Sequence, residues 1–147
     1  MIKKRIGIYI KQIDSVFDNK CNKMLKKYGI THSQFKVLTY LLINSDNLKI
    51  KQIDLEQIFL LSNPTMTGII QRLENNGFIK REKDKNDSRS NTIIICEKSF
   101  LIKDELIGIA NLMEQILTKG MTLSELDTAY DILDKILKNI LEEENLD

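Results

Sequence analysis

The 147-residue sequence predicts a mainly α-helical protein in which one small β-hairpin interrupts a series of amphipathic helices. Apolar residues recur at steps of three and four along most of the chain, which is the period of an α-helix. Residues 78–81 and 92–95 differ, because they resemble short strands, and the second run is rich in β-branched residues. The polar segment EKDKNDSRSN between them is predicted to be the exposed tip of the hairpin.

Three helices are predicted before the helix that directly precedes the hairpin. The first covers residues 3–27, ends near Gly29, and has an apolar stripe at Ile6, Ile10, Ile13, Phe17, Cys21, Met24 and Tyr28. The second begins with a capping box between Thr31 and Gln34, and its apolar positions are Phe35, Leu38, Leu41 and Leu42. A short third helix over residues 52–60 is expected to direct three side chains inward: Ile53, Leu55 and Phe59.

The next helix has an apolar face and a small polar face. Asn63 is predicted as its N-cap and Pro64 as its first helical residue, while Gly77 ends it. The apolar stripe consists of Met66, Ile69, Ile70 and Leu73. At about 100° per residue, the opposite face presents Pro64, Gly68, Gln71 and Asn75, flanked by Thr67 and Arg72.

The C-terminal part is predicted to be helical again. Residues 98–119 form one amphipathic stretch, with apolar residues at Ile102, Leu106, Ile109, Met113 and Ile116. A break follows at Gly120, and a capping box between Thr122 and Glu125 starts the last helix. Its apolar residues form a heptad seam of Leu123, Leu126, Tyr130, Leu133, Leu137 and Ile140. Such a helix needs a partner surface, and both the basic first helix and a second copy of the chain are candidates.

Composition narrows the class of protein. No apolar run reaches the roughly 18 residues of a membrane span, and the N-terminal segment turns polar too early for a signal peptide, so a cytoplasmic location is expected. Cys21 and Cys96 lie far apart, which indicates neither a disulfide nor a metal site. His32 is the only histidine, and the sequence contains no glycine-rich phosphate loop, nucleophile elbow or metal-ligand cluster. We therefore expect no enzyme activity, no cofactor and no metal.

The net charge of +1 conceals an asymmetry along the chain. Residues 1–36 contain nine Lys/Arg and two Asp, whereas residues 92–147 contain five Lys and twelve acidic residues. Opposite charges favour packing of the first helix against the last ones, within one chain or between two chains. The alternative is two differently solvated surfaces.

Two helices followed by a hairpin is the element order of a winged helix-turn-helix, in which the second helix enters a DNA major groove and the hairpin reaches the adjacent backbone or minor groove. Gln71 could pair with an adenine edge and Arg72 with guanine or phosphate, while Thr65 and Thr67 suit phosphate contacts near the helix N-terminus. The alternative for this helix alone is an ordinary polar surface.

The hairpin favours the DNA interpretation because it concentrates cations. Residues 80–91 contain five basic residues, namely Lys80, Arg81, Lys83, Lys85 and Arg89, and three acidic residues, namely Glu82, Asp84 and Asp87. Asp87 is expected to hold the guanidinium of Arg89 in a fixed direction through a charge-assisted hydrogen bond.

Residues Leu61–Arg81, with the pattern LSxxTxTxxIxxLExxGFIxR, together with Asp87-Ser88-Arg89, resemble the MarR family of winged helix-turn-helix transcriptional regulators. The resemblance implies one MarR-like chain over residues 1–147, with the DNA-binding part at 32–96 and the dimerisation part at 1–30 and 97–147. It implies a homodimer on a palindromic operator of double-stranded DNA, acting as a repressor that a small ligand or oxidation releases. By motif match, Arg89 would be the wing arginine, and Thr65, Thr67, Gln71 and Arg72 would belong to the recognition helix.

Residue reasoning and the resemblance together predict a DNA-binding set of Asn63, Pro64, Thr65, Thr67, Gly68, Gln71, Arg72, Lys83, Lys85, Asp87 and Arg89. The chain departs from the family pattern at Glu56, where a small residue is usual, at Leu60, where glycine is frequent, and at Cys96, a poor N-cap. Four residues could line a ligand pocket or simply belong to the core or its rim: Tyr9, Tyr28, His32 and Tyr40. For His32, a solvated imidazole in the first turn of a helix is the simpler expectation.

Two other functions stay open at this point. Cys21 could sense oxidants, as in one branch of the family, although its place on the apolar stripe also suits a small buried hydrophobic residue. Alternatively, the hairpin and the heptad seam could serve a protein partner, in a winged-helix interaction module without DNA binding.

Overall fold

The computed structural model describes residues 4–44 and 49–144. The predicted start of the first helix at residue 3, residues 45–48 within the predicted DNA-binding part, and the last three residues of the predicted dimerisation part lie outside this range. The chain divides into two compact units, Met1–Ala110 and Asn111–Asp147, with the boundary inside a helix. Within the described residues the structure is mainly helical with one two-stranded sheet, as the sequence predicts.

The helices and strands follow the predicted order. Their bounds are α1 Ile6–Leu25, α2 His32–Asn44, α3 Gln52–Phe59, α4 Asn63–Asn75, β1 Ile79–Lys83, β2 Asn91–Ile95, α5 Glu97–Leu101, α6 Lys103–Thr118 and α7 Leu123–Glu144, with a short 3-10 turn at Lys26–Tyr28. The strands β1 and β2 pair antiparallel, with Ile79 opposite Ile95 and Lys83 opposite Asn91. In the described part of the chain, no helix is both long enough and apolar enough to cross a membrane.

The core of the first unit forms where α4 packs against α2 and α3. The apolar residues predicted for α2 and α4 are buried there, together with Leu55 of α3. Two of the three inward positions predicted for α3 differ: Ile53 is 53% exposed, and Phe59 is only half-buried, with its ring edge-on to Tyr40. The eight-residue α3 therefore buries one apolar side chain fully, and its Gln52 amide adds a hydrogen bond to Thr67 of α4.

Polar contacts also join α1 to α2. The capping box of α2 is present, since the backbone N–H groups of Thr31 and Gln34 each meet the other residue's side-chain oxygen at 3.4 Å. In addition, the side-chain oxygen of Asn22 in α1 accepts a hydrogen bond from the backbone N–H of His32 at 2.8 Å. A side chain of α1 therefore accepts one of the free backbone N–H groups at the start of α2, and this bond helps to hold the two helices together.

The stretch 98–119 is not one helix. It is broken at Ile102 into the short α5 and the longer α6. Cys96 acts as the N-cap of α5 without a side-chain hydrogen bond, in agreement with its predicted weakness in that role. The buried Ser99 hydroxyl donates to the backbone oxygen of Phe78 at 2.7 Å and thereby ties α5 to the start of the hairpin.

The second unit consists of the end of α6 and of α7. The predicted capping box is formed, with the Thr122 N–H donating to Glu125 Oε2 at 2.8 Å and the Glu125 N–H donating to Thr122 Oγ1 at 3.2 Å. Most residues of the heptad seam are exposed: Leu123, Tyr130, Leu133, Leu137 and Ile140. In the first unit, the N-terminal half of α1 likewise exposes Ile6, Ile10, Ile13 and Val16.

The turn between α3 and α4 contains a conformation that is unusual for its residue. Leu60 is the C-cap of α3, with a φ of 51°. Among the residues that the structure describes, it is the only one other than glycine with a positive φ. A side chain in this left-handed region brings Cβ close to the following carbonyl oxygen. The departure from the family's frequent glycine therefore stores strain in the helix-turn-helix.

We expect Leu60→Gly to raise the free energy of unfolding by about 1 kcal/mol, because glycine adopts this conformation without the Cβ clash. Urea denaturation would measure the change. Leu60→Ala is the matched control, since it keeps Cβ and should give no such gain. An equal gain in both variants would instead assign the effect to removal of an exposed apolar side chain.

Candidate nucleic-acid interface

The packing of α4 determines which of its side chains face solvent and can contact a partner. Met66, Ile69, Ile70 and Leu73 are all buried, as predicted. The opposite side is consequently turned outward, so that Asn63, Pro64, Thr65, Gln71 and Arg72 are exposed while Thr67 and Gly68 are half-exposed. A continuous polar surface along one side of a helix is what a DNA groove requires.

The start of α4 differs from the prediction by one residue. Ser62 is the N-cap, and Asn63 is already helical, so Pro64 occupies the second position of the helix. The Asn63 amide donates to Glu56 Oε2 at 3.3 Å, and the Ser62 hydroxyl donates to Thr65 Oγ1 at 3.0 Å. Glu56, a departure from the family pattern, thus supports the beginning of α4.

Gly68 has no packing role within the chain. A Cβ atom built at this position would meet no other atom within 4 Å. Glycine costs a helix interior roughly 1 kcal/mol relative to alanine, and no internal contact offsets this cost. Gly68 lines a groove of about 440 Å³, together with Pro64, Thr65 and Arg72.

Thr67 lies on the side of α4 that faces α3. Its hydroxyl accepts a hydrogen bond from the Gln52 amide at 2.8 Å, which couples the two helices of the helix-turn-helix. Thr67 also lines a second groove, of about 330 Å³, that Gln52, Asn63 and Arg89 share. The hairpin arginine and the beginning of α4 therefore lie on one concave surface.

The acidic residues of the hairpin are occupied by internal contacts. Asp84 receives the backbone N–H of Asn86 at 2.9 Å and the Lys51 ammonium at 2.9 Å, and these two contacts lower the pKa of its carboxyl. The same pair raises the pKa of Lys51. Glu82 lies 3.5 Å from the Lys80 ammonium. Each of these two carboxylates therefore pairs directly with a lysine other than Lys83 and Lys85.

Asp87 does not hold the Arg89 guanidinium, contrary to the sequence prediction. Its carboxylate accepts the backbone N–H of Arg89 at 3.0 Å, and its backbone oxygen accepts the N–H of Ser90 at 3.1 Å. The physical reason is local: a carboxylate reaches the N–H two residues ahead more easily than a long side chain folds back. Asp87 thus shapes the turn that carries Arg89.

Arg81 also differs from the other cations. It forms two side-chain hydrogen bonds to the Glu74 carboxylate, at 2.8 and 3.3 Å, and its backbone N–H donates to the same group at 3.1 Å. These bonds lower the pKa of Glu74 and raise that of Arg81. Arg81 therefore joins α4 to β1 and is not a free cation of the tip.

Four basic side chains stay available on α4 and the hairpin. Among the described residues, no carboxylate lies within 4.0 Å of the side-chain nitrogens of Arg72, Lys83, Lys85 or Arg89, and all four are exposed. The arrangement can bind a polyanion along α4 and the hairpin.

Sequence reasoning missed the contribution of Lys51 and its neighbour. The backbone N–H of Ile93 donates to Ile50 at 2.9 Å, and Lys51 forms an isolated bridge with Thr92. This short segment therefore supports β2 from the other edge. In the sequence, this segment is only Lys49-Ile50-Lys51. An alternation of polar and apolar residues over three positions is too short to predict a strand.

Cys21 and His32 lie away from this surface. Cys21 is 0% exposed, and burial, followed by the nearby Asp18 carboxylate, raises the pKa of its thiol. The expectation of a solvated His32 was wrong, since the imidazole is buried, with Nδ1 at 2.6 Å from Asp18 and its ring edge-on to Phe17 at 5.4 Å. In the residues that the structure describes, no cluster of three or more His, Cys, Asp or Glu side chains is placed to hold a metal.

Comparison with known proteins identifies relatives of this fold. Residues 30–90 match the MarR family. The HTH-type transcriptional regulator MgrA of Staphylococcus aureus is 35% identical over 85 residues, which are 58% of this chain and 56% of MgrA. The chain thus spans about half the length of the curated relatives it matches. These relatives are regulators rather than enzymes, which agrees with the absence of enzyme motifs in the sequence.

Solved structures agree over nearly the whole chain. MepR of S. aureus, in a complex with DNA, has a TM-score of 0.85 at 21% identity, covering 94% of this chain and 99% of that chain. A MarR family transcriptional regulator of Listeria monocytogenes, complexed with a 26mer DNA, has a TM-score of 0.82 at 26% identity, covering 95% and 91%. The predicted winged-helix fold with flanking helices is therefore confirmed.

The burial of Cys21 leads to a chemical prediction. We expect iodoacetamide to leave Cys21 unmodified in the native protein at neutral pH, because a raised pKa leaves little thiolate and the side chain is closed to solvent. Mass spectrometry of peptides would measure the modification, with the half-buried Cys96 as internal comparison and urea-unfolded protein as the fully reactive control. Rapid native alkylation of Cys21 would reopen the redox interpretation.

Proposed function

We propose that this chain, whose residues 30–90 match the MarR family, is a transcriptional regulator of that family that binds double-stranded DNA. The observation that carries the proposal is the state of the hairpin charges. Its acidic side chains are engaged in internal contacts, so that Lys83, Lys85 and Arg89 stay unpaired, and Arg89 shares a groove with the beginning of α4.

The proposed contacts divide between the two elements. Gln71 and Arg72 lie in the middle of the exposed face of α4 and would meet base edges in the major groove. Asn63, Pro64, Thr65 and Thr67, at the beginning of the helix, would meet the phosphate backbone, where unpaired N–H groups and the helix dipole favour an anion. Gly68 would allow the backbone of the helix to come close to the duplex.

The hairpin would act as the wing. Arg89 would enter the minor groove, and Lys83 and Lys85 would contact the flanking phosphates. Asp87 would contribute indirectly, by fixing the backbone turn from which Arg89 projects. The DNA complex of the Listeria monocytogenes relative supports a duplex as the partner of this fold.

We further propose that the regulator acts as a homodimer. The apolar seam of α7 and the N-terminal half of α1 are exposed in the single chain, and burial of such surface against a second copy is favourable. A two-fold dimer would offer two α4 helices to sites about 34 Å apart on a palindromic operator. Repression in the cytoplasm, with release by a small ligand, is the corresponding biological role. The buried thiol of Cys21 argues against release by oxidation.

We expect Arg89→Ala to weaken binding to an AT-rich palindromic duplex by about tenfold, because one desolvated cation–groove contact is worth on the order of 1–3 kcal/mol. The slope of log affinity against log salt should also decrease in magnitude by about 1. Fluorescence anisotropy would measure both quantities. The titrations would cover a roughly fourfold range of salt concentration, from about 50 to about 200 mM.

Lys80→Ala is the matched control for this measurement. Lys80 lies on the same hairpin but pairs with Glu82, so its loss should change affinity by less than about twofold. If the wild-type protein shows no salt-sensitive binding even at low ionic strength, a winged-helix protein-interaction module becomes the better account.

For the dimer, we expect sedimentation at micromolar concentration to give twice the chain mass of 17.1 kDa. Leu133→Glu should shift the protein toward monomer and weaken DNA binding, because a carboxylate in an apolar interface is costly to desolvate. Lys135→Glu, on the opposite side of α7, should leave the mass unchanged. A stable wild-type monomer would contradict the proposed architecture.

A further inference from the structure

The hydroxyl group of Thr67 does not make the local hydrogen bond that is usual for a threonine inside a helix. Such a hydroxyl can donate to the carbonyl oxygen four residues earlier. Three threonines of the described helices do so, at 2.8 or 2.9 Å, namely Thr39, Thr118 and Thr128. Thr67 Oγ1 instead accepts a hydrogen bond from the side-chain amide of Gln52 in α3, at 2.8 Å.

This contact leaves the proton of the Thr67 hydroxyl available. A hydroxyl group has two lone pairs that accept and one O–H that donates, and the Gln52 amide uses a lone pair. Among the residues that the structure describes, no atom accepts a hydrogen bond from this O–H. Thr67 is half-exposed, so the O–H can donate to a molecule outside the chain.

The groove that Thr67 lines favours an anion as the acceptor. Its lining contains three basic residues, Lys51, Arg81 and Arg89, and one acidic residue, Glu56. Lys51 and Arg81 pair with carboxylates that do not line the groove. Within the described part of the chain, no carboxylate lies within 4.0 Å of the Arg89 guanidinium nitrogens. The groove therefore offers an unpaired cation beside an unused hydroxyl donor.

We propose that Gln52 is a positioning residue for DNA binding, because its amide holds the Thr67 hydroxyl so that the O–H donates to a phosphate oxygen of the duplex. Without the amide, the hydroxyl would turn back to the carbonyl oxygen of Asn63, as it does in the other three threonines. The donor would then be lost to the DNA. This inference rests on the proposed function, since the acceptor belongs to bound DNA.

The first test is a double-mutant cycle. Fluorescence anisotropy would measure the affinity of the full chain for an AT-rich palindromic duplex. Thr67→Val should weaken binding by about fivefold to tenfold, and Gln52→Met by about threefold to tenfold. The double variant should bind as tightly as Thr67→Val alone, because Gln52 acts through the hydroxyl. Additive losses would overturn the proposal, since they would mean that the Gln52 amide contacts DNA by itself.

Two matched variants control for the chemistry of these changes. Gln57→Met makes the same substitution at an exposed position of α3 outside the groove lining, and it should change affinity by less than about twofold. Thr67→Ser keeps the hydroxyl and should bind within about twofold of the wild type. A loss in Thr67→Ser as large as that in Thr67→Val would overturn the role of the hydroxyl. Circular dichroism would verify that each variant is folded.

The second test locates the acceptor on the DNA. In a series of duplexes, one phosphate at a time is replaced by a neutral methylphosphonate. At one position in each half-site, the replacement should weaken binding by the wild type about fivefold to tenfold, but binding by Thr67→Val or Gln52→Met less than about twofold. A purely structural contact between α3 and α4 would lower the affinity for every duplex by the same factor, and this result would overturn the proposal.

These outcomes separate the role of Gln52 from the proposed function. If the wild type binds the unmodified duplex in a salt-sensitive manner but no phosphate position is coupled to both residues, the proposed function stands and the role of Gln52 is wrong. If the wild type binds no duplex even at low ionic strength, both are wrong.

Discussion

The orientation of α4 depends on four buried side chains, and the rest of the proposed surface follows from it. Met66, Ile69, Ile70 and Leu73 pack against α2 and α3. Fully burying an aliphatic side chain contributes about 1.5–3 kcal/mol, so rotating α4 about its axis would be strongly unfavourable. The glycine, the glutamine and the arginine of the other side are held outward by this packing and need no contact of their own.

The hairpin is organised by a second constraint, the internal use of its acidic groups. From net charge alone, a segment with five basic and three acidic residues is a weak polyanion site. In the structure, Asp84 ties the hairpin to Lys51 before α3, and Asp87 shapes the turn around Arg89. The acids thus position the cations instead of weakening them. Charge pairing with the rest of the domain determines which of the lysines and arginines can bind a partner.

The contacts between α1 and α2 show how the first helix is joined to the helices that precede the hairpin. Asn22 completes the first turn of α2, and Asp18 accepts the buried imidazole of His32. These groups lie beside the groove that also contains Gly68 and Arg72. A displacement of α1, which carries part of the exposed apolar surface, would therefore be felt at the edge of α4.

By itself, the sequence determined the helix order, the buried stripe of α4, the capping boxes at Thr31 and Thr122, and the place of the hairpin, because these depend on local period and local hydrogen bonding. It did not predict the exposure of Ile53, the burial of His32, the break at Ile102, or the division of the hairpin charges into paired and free. The last three involve a residue distant in sequence: Asp18 for His32, Phe78 for α5, and Lys51 for Asp84. Only the tertiary structure brings such pairs together, since a periodic pattern defines a face of a helix but not the group that will lie against it.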